Sequence, residues 1–475
     1  MAVPINRSAH WLKLPSALTV TTFAALIVAL LAWWPLLGAR PWIADDFFNG
    51  PLCERGFAAY WQKFGIWRMA GHPPPFLARV FIPGGNAWLA LFTHLITVVL
   101  FVVALGRIGG PAMLRAAIAL FLAATPFGFQ ALTWDSAFSF AFATALSLAL
   151  FSLTGAWPIT IGDAVRRGLF AAAVAFLALM ASEATLLLIG WIAIAPIFRA
   201  FDQRSKEGGR TILRAAALEA AIILATVIAW LVLQQLTKPP EFHKAISLNP
   251  RPFLSGLFYQ HRQITYFVNL PAIHPWLHAG AWISAAAAAV VALVVARSTR
   301  DEPGRSRPGI GEILWFAGLP LFAVGIYSLS GGFSTDARKA YVLWPFFLLT
   351  AAFFLGLAST PIYRIAMIVC FALVPVVTLA SHGVTRVWQE NAVRFHGAYD
   401  MIRGASLSPP FSFVQEPDPY RLWPDFDHLC GFRFDTPWVV ECAVGKRSER
   451  SDGGTTVLIR DGATGAWRVD AVTKP

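Results

Sequence analysis

Two adjacent carboxylates, Asp45 and Asp46, follow the first long apolar stretch of the chain and stand among aromatic residues at positions 40–48. Adjacent carboxylates repel each other, which favours a proton on one of them when both are buried. Such a pair can act as a general base or hold a divalent cation. A solvated helix cap at the membrane surface is the alternative, and the dipeptide alone does not decide between them.

The stretch that contains this pair, residues 39–80, is the first long loop between apolar stretches. Its many Tyr, Trp and Phe residues predict a helix lying in the membrane interface, because aromatic side chains favour that position. Arg68 and His72 follow these aromatic residues, and either could face an anionic head group. Simple anchoring in the interface explains both residues equally well, so both interpretations stay open.

Two further acidic residues stand at the edges of apolar stretches, Asp135 after Thr-Trp and Glu183 after Ser182. Ionisable residues at such places are candidates for function, because charge is costly inside a bilayer. Together with Asp45 they are the candidate ligands of a divalent cation, Mg²⁺ or Mn²⁺. A helix N-cap for Asp135 and a buried hydrogen bond for Glu183 are the structural alternatives.

Basic residues stand in two later segments that separate apolar stretches. Cations in these segments can bind a phosphate or pyrophosphate, and arginine does so with two parallel hydrogen bonds. Attraction to ordinary anionic lipid head groups is the alternative. The candidates are Arg338 and Lys339, which precede an apolar stretch, and His243, Lys244, Arg251 and Arg262 in the segment 237–278.

The composition indicates a membrane protein. Of the 475 residues, 57% are hydrophobic and 13% are charged, whereas a soluble domain carries roughly 25% charged residues. A helix needs about 20 apolar residues to cross a bilayer. The sequence therefore predicts an all-α polytopic membrane protein with about eleven transmembrane helices, at residues 17–38, 87–105, 112–129, 136–154, 168–181, 184–198, 212–236, 278–296, 311–329, 340–358 and 362–380.

The charges orient these spans. A break at Ser182-Glu183 divides the apolar stretch 168–198 into two spans, and the basic clusters then all fall on one side with Arg7 and Lys13. Because basic loops stay in the cytoplasm, this arrangement predicts a cytoplasmic N-terminus. The same arrangement of basic loops accounts for the net charge of +12, so no nucleic-acid partner is needed to explain it. The basic segments also lack an aromatic face on which bases could stack.

The tail differs in composition from the rest and predicts a second domain, 382–475, after a transmembrane domain, 1–381. Residues 456–459 and 467–472 predict two strands joined by a glycine-containing turn, and 432–440 a further strand. We expect a small α+β domain outside the cytoplasm. In that compartment Cys430 and Cys442 can form a disulfide, although two unpaired thiols in a small core remain the alternative.

These features resemble the GT-C class of integral membrane glycosyltransferases over roughly residues 1–380. The resemblance rests on the acidic residues after the first span, on Ser182-Glu183-Ala184 between paired short spans, and on Arg338-Lys339-Ala340-Tyr341 before Trp344-Pro345. It implies a GT-C-like fold, a polyprenyl-phosphate sugar donor, and chemistry on the outer face of the membrane.

Carried over to this chain, the resemblance makes Asp45 the catalytic base with Asp46 as its neighbour, and lets Arg338 or Lys339 hold the lipid phosphate. Asp-Asp stands where several families of the class have Asp-Glu, which leaves open which carboxylate reacts and whether a metal takes part. The expected acceptor is a cell-surface glycan, a lipid or a protein, and the expected location is a bacterial inner membrane with the tail in the periplasm.

Three alternatives remain at this stage. A polysaccharide polymerase or ligase uses similar lipid-linked donors, and its key residues would then be sought in later loops, at His243, Arg251 and Arg262. A transporter or flippase of a lipid-linked substrate typically shows internal repeats and broken helices, and neither is evident in the sequence. A non-catalytic scaffold would leave the charged residues dispersed.

Overall fold

The computed structural model describes residues 16–38, 46–133, 135–154, 160–201, 209–238, 308–324, 338–404, 411–415, 456–460 and 467–471. Within these ranges, seven segments are long and apolar enough to cross a membrane by length and composition: Leu18–Leu37, Gly85–Ile108, Asp135–Thr154, Ile161–Ala181, Glu183–Phe201, Gly209–Thr237 and Ala340–Leu357. Together with the composition, these segments support an integral membrane protein.

The described part of the chain contains fifteen α-helices and three β-strands, besides three short 3-10 turns. In chain order they are α1 (Ser16–Trp33), α2 (Asp46–Cys53), α3 (Phe57–Phe64), α4 (Pro73–Phe81), α5 (Gly85–Ile108), α6 (Ala112–Ala124), α7 (Gln130–Thr133), α8 (Phe138–Thr154), α9 (Ile161–Ala181), α10 (Leu186–Ala193), α11 (Ala195–Phe201), α12 (Gly209–Thr237), α13 (Ile310–Val324), α14 (Arg338–Leu357), α15 (Thr360–Gly404), β1 (Phe411–Gln415), β2 (Thr456–Arg460) and β3 (Trp467–Ala471).

The long helices alternate in direction and share one hydrophobic core. We call one end of this bundle the Asp46 end, where α1, α6, α9 and α12 finish and α5, α8 and α14 begin. The opposite end is the Arg115 end. Contacts fix these directions: the Trp33 indole donates to the carbonyl of Ala123 at the first end, and Leu18 lies beside Gly106 at the second.

The break at Ser182 is confirmed. Helix α9 ends at Ala181, Ser182 has extended backbone, and a short 3-10 turn, Glu183–Thr185, precedes α10. The hydroxyl of Ser182 accepts a hydrogen bond from the backbone N–H of Ala184, which satisfies one of the unpaired donors at a helix start. The chain therefore forms two candidate spans between 161 and 201, with the break where the position of Glu183 in the sequence predicts it.

The first long loop is helical and covers the Asp46 end. Helices α2, α3 and α4 enclose a small core of their own, formed by Cys53, Tyr60, Phe64 and Phe76. The backbone N–H of Ala70 donates to the carbonyl of Met180. Because a Cβ on Gly71 would stand 2.5 Å from the carbonyl oxygen of Ala181, only glycine lets the loop approach α9 this closely.

Several boundaries differ from the sequence prediction. Helix α6 ends at Ala124 instead of 129, because Pro126 disfavours helical backbone at Thr125, which is extended. Helix α9 begins at Ile161 instead of 168, since the Thr160 hydroxyl caps it by accepting from the N–H of Asp163. Every predicted span except 278–296 overlaps a described helix. That span lies outside the described residues, so the total of eleven stays a prediction.

Helix α15 has 45 residues and extends well past 380, where its span was predicted to end. At 1.5 Å per residue it is about 68 Å long, roughly twice the thickness of the hydrocarbon layer. Strands β2 and β3 are antiparallel and coincide with the predicted pair, while β1 joins β2 in parallel and was not predicted. The separate domain 382–475 stays a prediction, and the strand expected at 432–440 lies outside the described residues.

Candidate functional site

Asp46 is the first residue of α2 and is buried, with 1% of its surface exposed. Its Oδ1 accepts two hydrogen bonds from Ser136, one from the backbone N–H at 2.9 Å and one from the hydroxyl at 2.6 Å. The Asn49 amide donates to the same hydroxyl at 3.1 Å. A carboxylate that accepts from two donors is fixed in orientation, so the start of α2 is anchored to the start of α8.

Asp135, the residue before Ser136, is the second buried carboxylate at this position. Its Oδ2 accepts a hydrogen bond of 2.7 Å from the amide of Asn86, in the first turn of α5. Three chain segments therefore meet here, because Asp46 and Asn86 both contact the short turn Asp135–Ala137. The structure thus brings the first-loop carboxylate together with one of the predicted outer acids.

The Arg68 guanidinium forms a two-pronged ion pair with Glu183. Nε donates to Oε2 at 2.9 Å and Nη2 donates to Oε1 at 2.7 Å. The guanidinium also lies over the rings of Trp67 and Phe140, 4.9 and 5.3 Å from their centroids. Among the described non-glycine residues, only Arg68 has a positive backbone angle φ, of 50°. Such strained backbone persists only where the surroundings enforce it.

His72 is held in one neutral form by its neighbours. The Tyr60 hydroxyl donates its single proton to the carbonyl of Trp67 at 3.0 Å, so it must accept from the Nδ1–H of His72, also at 3.0 Å. The other ring nitrogen, Nε2, faces the Nη1 of Arg68 at 3.5 Å. Since a guanidinium can only donate, Nε2 carries the lone pair. A proton on Nε2 would place two cations against each other.

Burial governs the other titratable groups of α2 and α3. It is the main cause that raises the pKa of the Cys53 thiol, and the neighbouring Asp46 and Glu54 carboxylates raise it further. Burial also raises the pKa of Tyr60, with the Arg68 guanidinium acting in the opposite direction. Both side chains therefore stay protonated near neutral pH, which excludes a thiolate nucleophile at Cys53.

The start of α14, where Arg338 and Lys339 stand, lies at the same end of the bundle. Gly128 has φ of 80°, and a Cβ there would stand 2.3 Å from the backbone nitrogen of Tyr341. The Tyr341 hydroxyl and Nδ1 of His94 are 2.7 Å apart. The segment that follows Gly128 leads directly to Asp135. A short, closely packed segment therefore connects the start of α14 to the turn that contains Asp135.

The predicted residues divide into three groups. Asp46, Asp135, Arg68, His72 and Glu183 all lie at the Asp46 end. Arg338 and Lys339 begin α14 at that end, but their side chains are outside the described part of the chain. Also outside it lie Asp45, His243, Lys244, Arg251, Arg262, Cys430 and Cys442.

The described residues do not form a metal site. No group of three or more His, Cys, Asp or Glu side chains lies together among them. Both oxygens of Glu183 accept from Arg68, as the hydrogen-bond alternative for this residue expects. A divalent cation held by Asp45, Asp135 and Glu183 stays a prediction, and we derive no step through it.

Sequence reasoning missed the polar partners of this site, which are Ser136, Asn86, Asn49, Tyr60 and His94. Two of these residues had a signal in the sequence: Ser136 directly follows Asp135, and Asn86 stands at the start of a span. Nothing in the sequence indicated that Tyr60 bonds His72, because two aromatic rings in an interfacial loop are already explained by anchoring.

No family model matches the chain, and no curated protein matches it. Among solved structures, the chain is similar to the crystal structure of ArnT from Cupriavidus metallidurans in the apo state. The two are 13% identical, the match covers 90% of this chain and 85% of that chain, and the TM-score is 0.47. At this identity and TM-score, the likeness establishes neither a family nor an activity for this chain.

Proposed function

We propose that this chain is a membrane glycosyltransferase of the GT-C kind. It moves a sugar from a polyprenyl-phosphate donor to an acceptor hydroxyl at the outer face of the membrane. The observation that carries the proposal is the buried Asp46, whose carboxylate is fixed by Ser136 beside Asp135. The burial of two neighbouring acids at one end of an apolar bundle is costly and is typical of functional sites.

In this proposal Asp45 is the general base and Asp46 is a positioning residue. Because Oδ1 of Asp46 accepts from both donors of Ser136, it anchors the first turn of α2, which Asp45 directly precedes in the sequence. Asp45 removes the proton of the acceptor hydroxyl while the acceptor oxygen forms a bond to the anomeric carbon. The bond from that carbon to the phosphate oxygen breaks, and the electron pair leaves with the prenyl phosphate.

Positive charge at the same end meets the leaving phosphate. The proposed donors are Arg338 and Lys339 at the start of α14, together with Arg68, whereas His72, whose Nε2 faces the Arg68 guanidinium, takes part by positioning that guanidinium. The ion pair with Glu183 fixes the guanidinium plane before substrate binds, and a fixed donor loses little free energy to reorganisation in the transition state. The N-terminus is proposed to be cytoplasmic and the Asp46 end periplasmic.

The test is transfer by the purified full chain in lipid nanodiscs. The donors are a panel of prenyl-phosphate sugars, the acceptor is an envelope extract from a strain that lacks the protein, and the readouts are prenyl phosphate released and sugar incorporated. We expect Asp45→Asn to lower the rate by about 10²- to 10⁴-fold. The matched control is Asp163→Asn, because Asp163 is a partly exposed acid at the Arg115 end.

Wild-type transfer by Asp45→Asn would remove this residue from the reaction. If Asp46→Asn alone abolished transfer while Asp45→Asn did not, Asp46 would be the base. In sealed proteoliposomes, movement of intact donor across the membrane without release of prenyl phosphate would identify a flippase instead. Loss of transfer by changes at His243, Arg251 and Arg262 only would favour a polymerase or ligase.

A further inference from the structure

His94 is an ionisable residue within the candidate span Gly85–Ile108, and the proposed reaction does not use it. Its side chain is buried, with 3% of its surface exposed. An ionisable side chain in an apolar span is costly and is a candidate for function. Because a substrate does not reach a side chain buried to this degree, a role of His94 in the reaction must act through its neighbours.

Two hydrogen bonds fix the imidazole of His94. Nε2 lies 3.2 Å from the carbonyl oxygen of Ala123, and a carbonyl can only accept, so Nε2 carries the proton. In the neutral ring, Nδ1 then presents its lone pair to the Tyr341 hydroxyl, which donates at 2.7 Å. The carbonyl of Ala123 also accepts from the Trp33 indole at 3.2 Å. His94 therefore bridges Tyr341 to the carbonyl that Trp33 binds.

This network joins helices α1, α5, α6 and α14. Ala123 lies in the last turn of α6, where carbonyls lack partners within the helix. Trp33 is the last residue of α1, the helix that leads to Asp46. Tyr341 lies in the first turn of α14, three positions after Arg338. The network thus connects the helix before the proposed base to the helix that begins with the proposed phosphate donors.

The first turn of α14 is held by two contacts. Gly128 holds its backbone from one side, because a Cβ on Gly128 would stand 2.3 Å from the backbone nitrogen of Tyr341. The bond to His94 holds the Tyr341 side chain from the core. Such contacts matter at a helix start, since the first N–H groups have no partners within the helix and helix ends fray. Arg338 and Lys339 therefore belong to a turn that the core keeps folded.

We infer that His94 and Tyr341 are positioning residues for the donor phosphate. Their hydrogen bond keeps the first turn of α14 folded, so that Arg338 and Lys339 stand where they bind prenyl phosphate. This inference rests on the binding of prenyl phosphate by these two cations, which is part of the proposed function. The apparent affinity for a ligand falls with the population of the state that binds it. Loss of one hydrogen bond that stabilises this state lowers the affinity by about 2- to 10-fold.

The test compares Tyr341→Phe with the wild-type full chain in lipid nanodiscs, with prenyl phosphate alone as the ligand. We expect the dissociation constant of prenyl phosphate to rise by about 2- to 10-fold. In hydrogen–deuterium exchange, the amides of 342–344 should exchange faster, because in a helix they donate to the carbonyls of 338–340. In transfer assays, the KM for the donor should rise more than kcat falls.

The matched control is Tyr363→Phe, which removes a hydroxyl in the first turn of α15, next to the Arg115 end where α14 finishes. It should change neither the dissociation constant nor the exchange of 342–344. His94→Phe removes both hydrogen bonds of the imidazole and should have an effect at least as large as that of Tyr341→Phe. The milder Tyr341→Phe keeps the inference testable if His94→Phe folds poorly.

Unchanged exchange of 342–344 in Tyr341→Phe would overturn the inference. So would faster exchange with an unchanged dissociation constant, because the hydrogen bond would then serve the fold alone. Absence of prenyl phosphate binding by the wild-type protein would overturn it as well. A wild-type protein that binds prenyl phosphate but transfers no sugar would contradict the proposed function, whereas the inference would still be decided by the binding and exchange results.

Discussion

The two ends of the helical bundle each contain a partly buried arginine–glutamate pair, and α9 links the two. At the Asp46 end, Arg68 of the first loop binds Glu183 just after α9. At the Arg115 end, Arg167 of α9 binds Glu219 of α12. The first pair joins a loop to the bundle, and the second joins two neighbouring helices. The same type of ion pair therefore holds a loop in register at one end of the bundle. At the other end it stabilises the packing of two helices.

The residues that surround the two ion pairs also differ. Around Arg68 lie a strained backbone, two aromatic rings and His72. Around Arg167 one further partner is a backbone carbonyl, that of Leu153. Strain and converging polar groups are typical of sites that bind or react, whereas a pair that joins two neighbouring helices is typical of packing. We therefore expect substitutions at the Asp46 end to lower both transfer and stability, and substitutions at the Arg115 end to lower stability alone.

The largest effect is expected from Arg68→Met. It leaves Glu183 without its partner, which costs about 3 kcal/mol of stability, and it removes a proposed phosphate donor, so transfer should fall by about 100-fold or more. The double variant Arg68→Met with Glu183→Leu should regain thermal stability but not transfer. Recovery of transfer in the double variant would mean that the pair only holds the loop in place.

At the opposite end, Arg167→Met should lower stability by a similar amount, about 3 kcal/mol, because Glu219 is fully buried. Transfer per folded molecule should stay at the wild-type value. The double variant with Glu219→Leu should restore the unfolding midpoint. A loss of transfer that persists in this stable double variant would show that the Arg115 end also takes part in the reaction.

Gly71→Ala tests how closely the first loop must approach α9. The added methyl overlaps the carbonyl of Ala181, and we expect a loss of about 1 to 3 kcal/mol together with slower transfer. Gly190→Ala is the matched control, since a Cβ there meets nothing within 4 Å. Equal unfolding midpoints for the two variants would contradict the close contact.

Ser136→Ala removes one of the two donors to Asp46 and keeps the backbone N–H. We expect a loss of about 1 to 2 kcal/mol and transfer slower by about tenfold, with the substrate KM little changed. Ser147→Ala is the control, because Ser147 lies in α8, the helix that follows the Ser136 turn, and its hydroxyl donates to the carbonyl of Ala143. Transfer that slows equally in both variants would argue against a positioning role for Ser136.

The smallest effect is expected from Thr160→Ala, which removes the cap of α9 at the Arg115 end. Stability should fall by about 1 kcal/mol, and transfer should not change. Thr160→Ser should keep the cap and the stability. A change in transfer with Thr160→Ala would show that the start of α9 is coupled to the Asp46 end.

Much of the helical framework could be predicted from the sequence, because a bilayer tolerates few exposed backbone groups and long apolar stretches have one available structure. The break at Ser182 followed from the cost of placing Glu183 inside the hydrocarbon layer. Helix ends were predicted less well. The early end of α6 depends on Pro126, and the early start of α9 depends on the Thr160 cap, both of which are local signals that hydropathy does not include.

By itself, the sequence determined that the chain is a helical membrane protein with acidic groups after its first span and cationic groups at several span ends. Only the tertiary structure decided which of these groups meet. Arg68 and Glu183 are 115 positions apart, and Asp46 and Ser136 are 90 apart. Apolar periodicity places helices but does not specify pairings across such separations, because ion pairs and hydrogen bonds depend on the register in which the helices and the first loop pack.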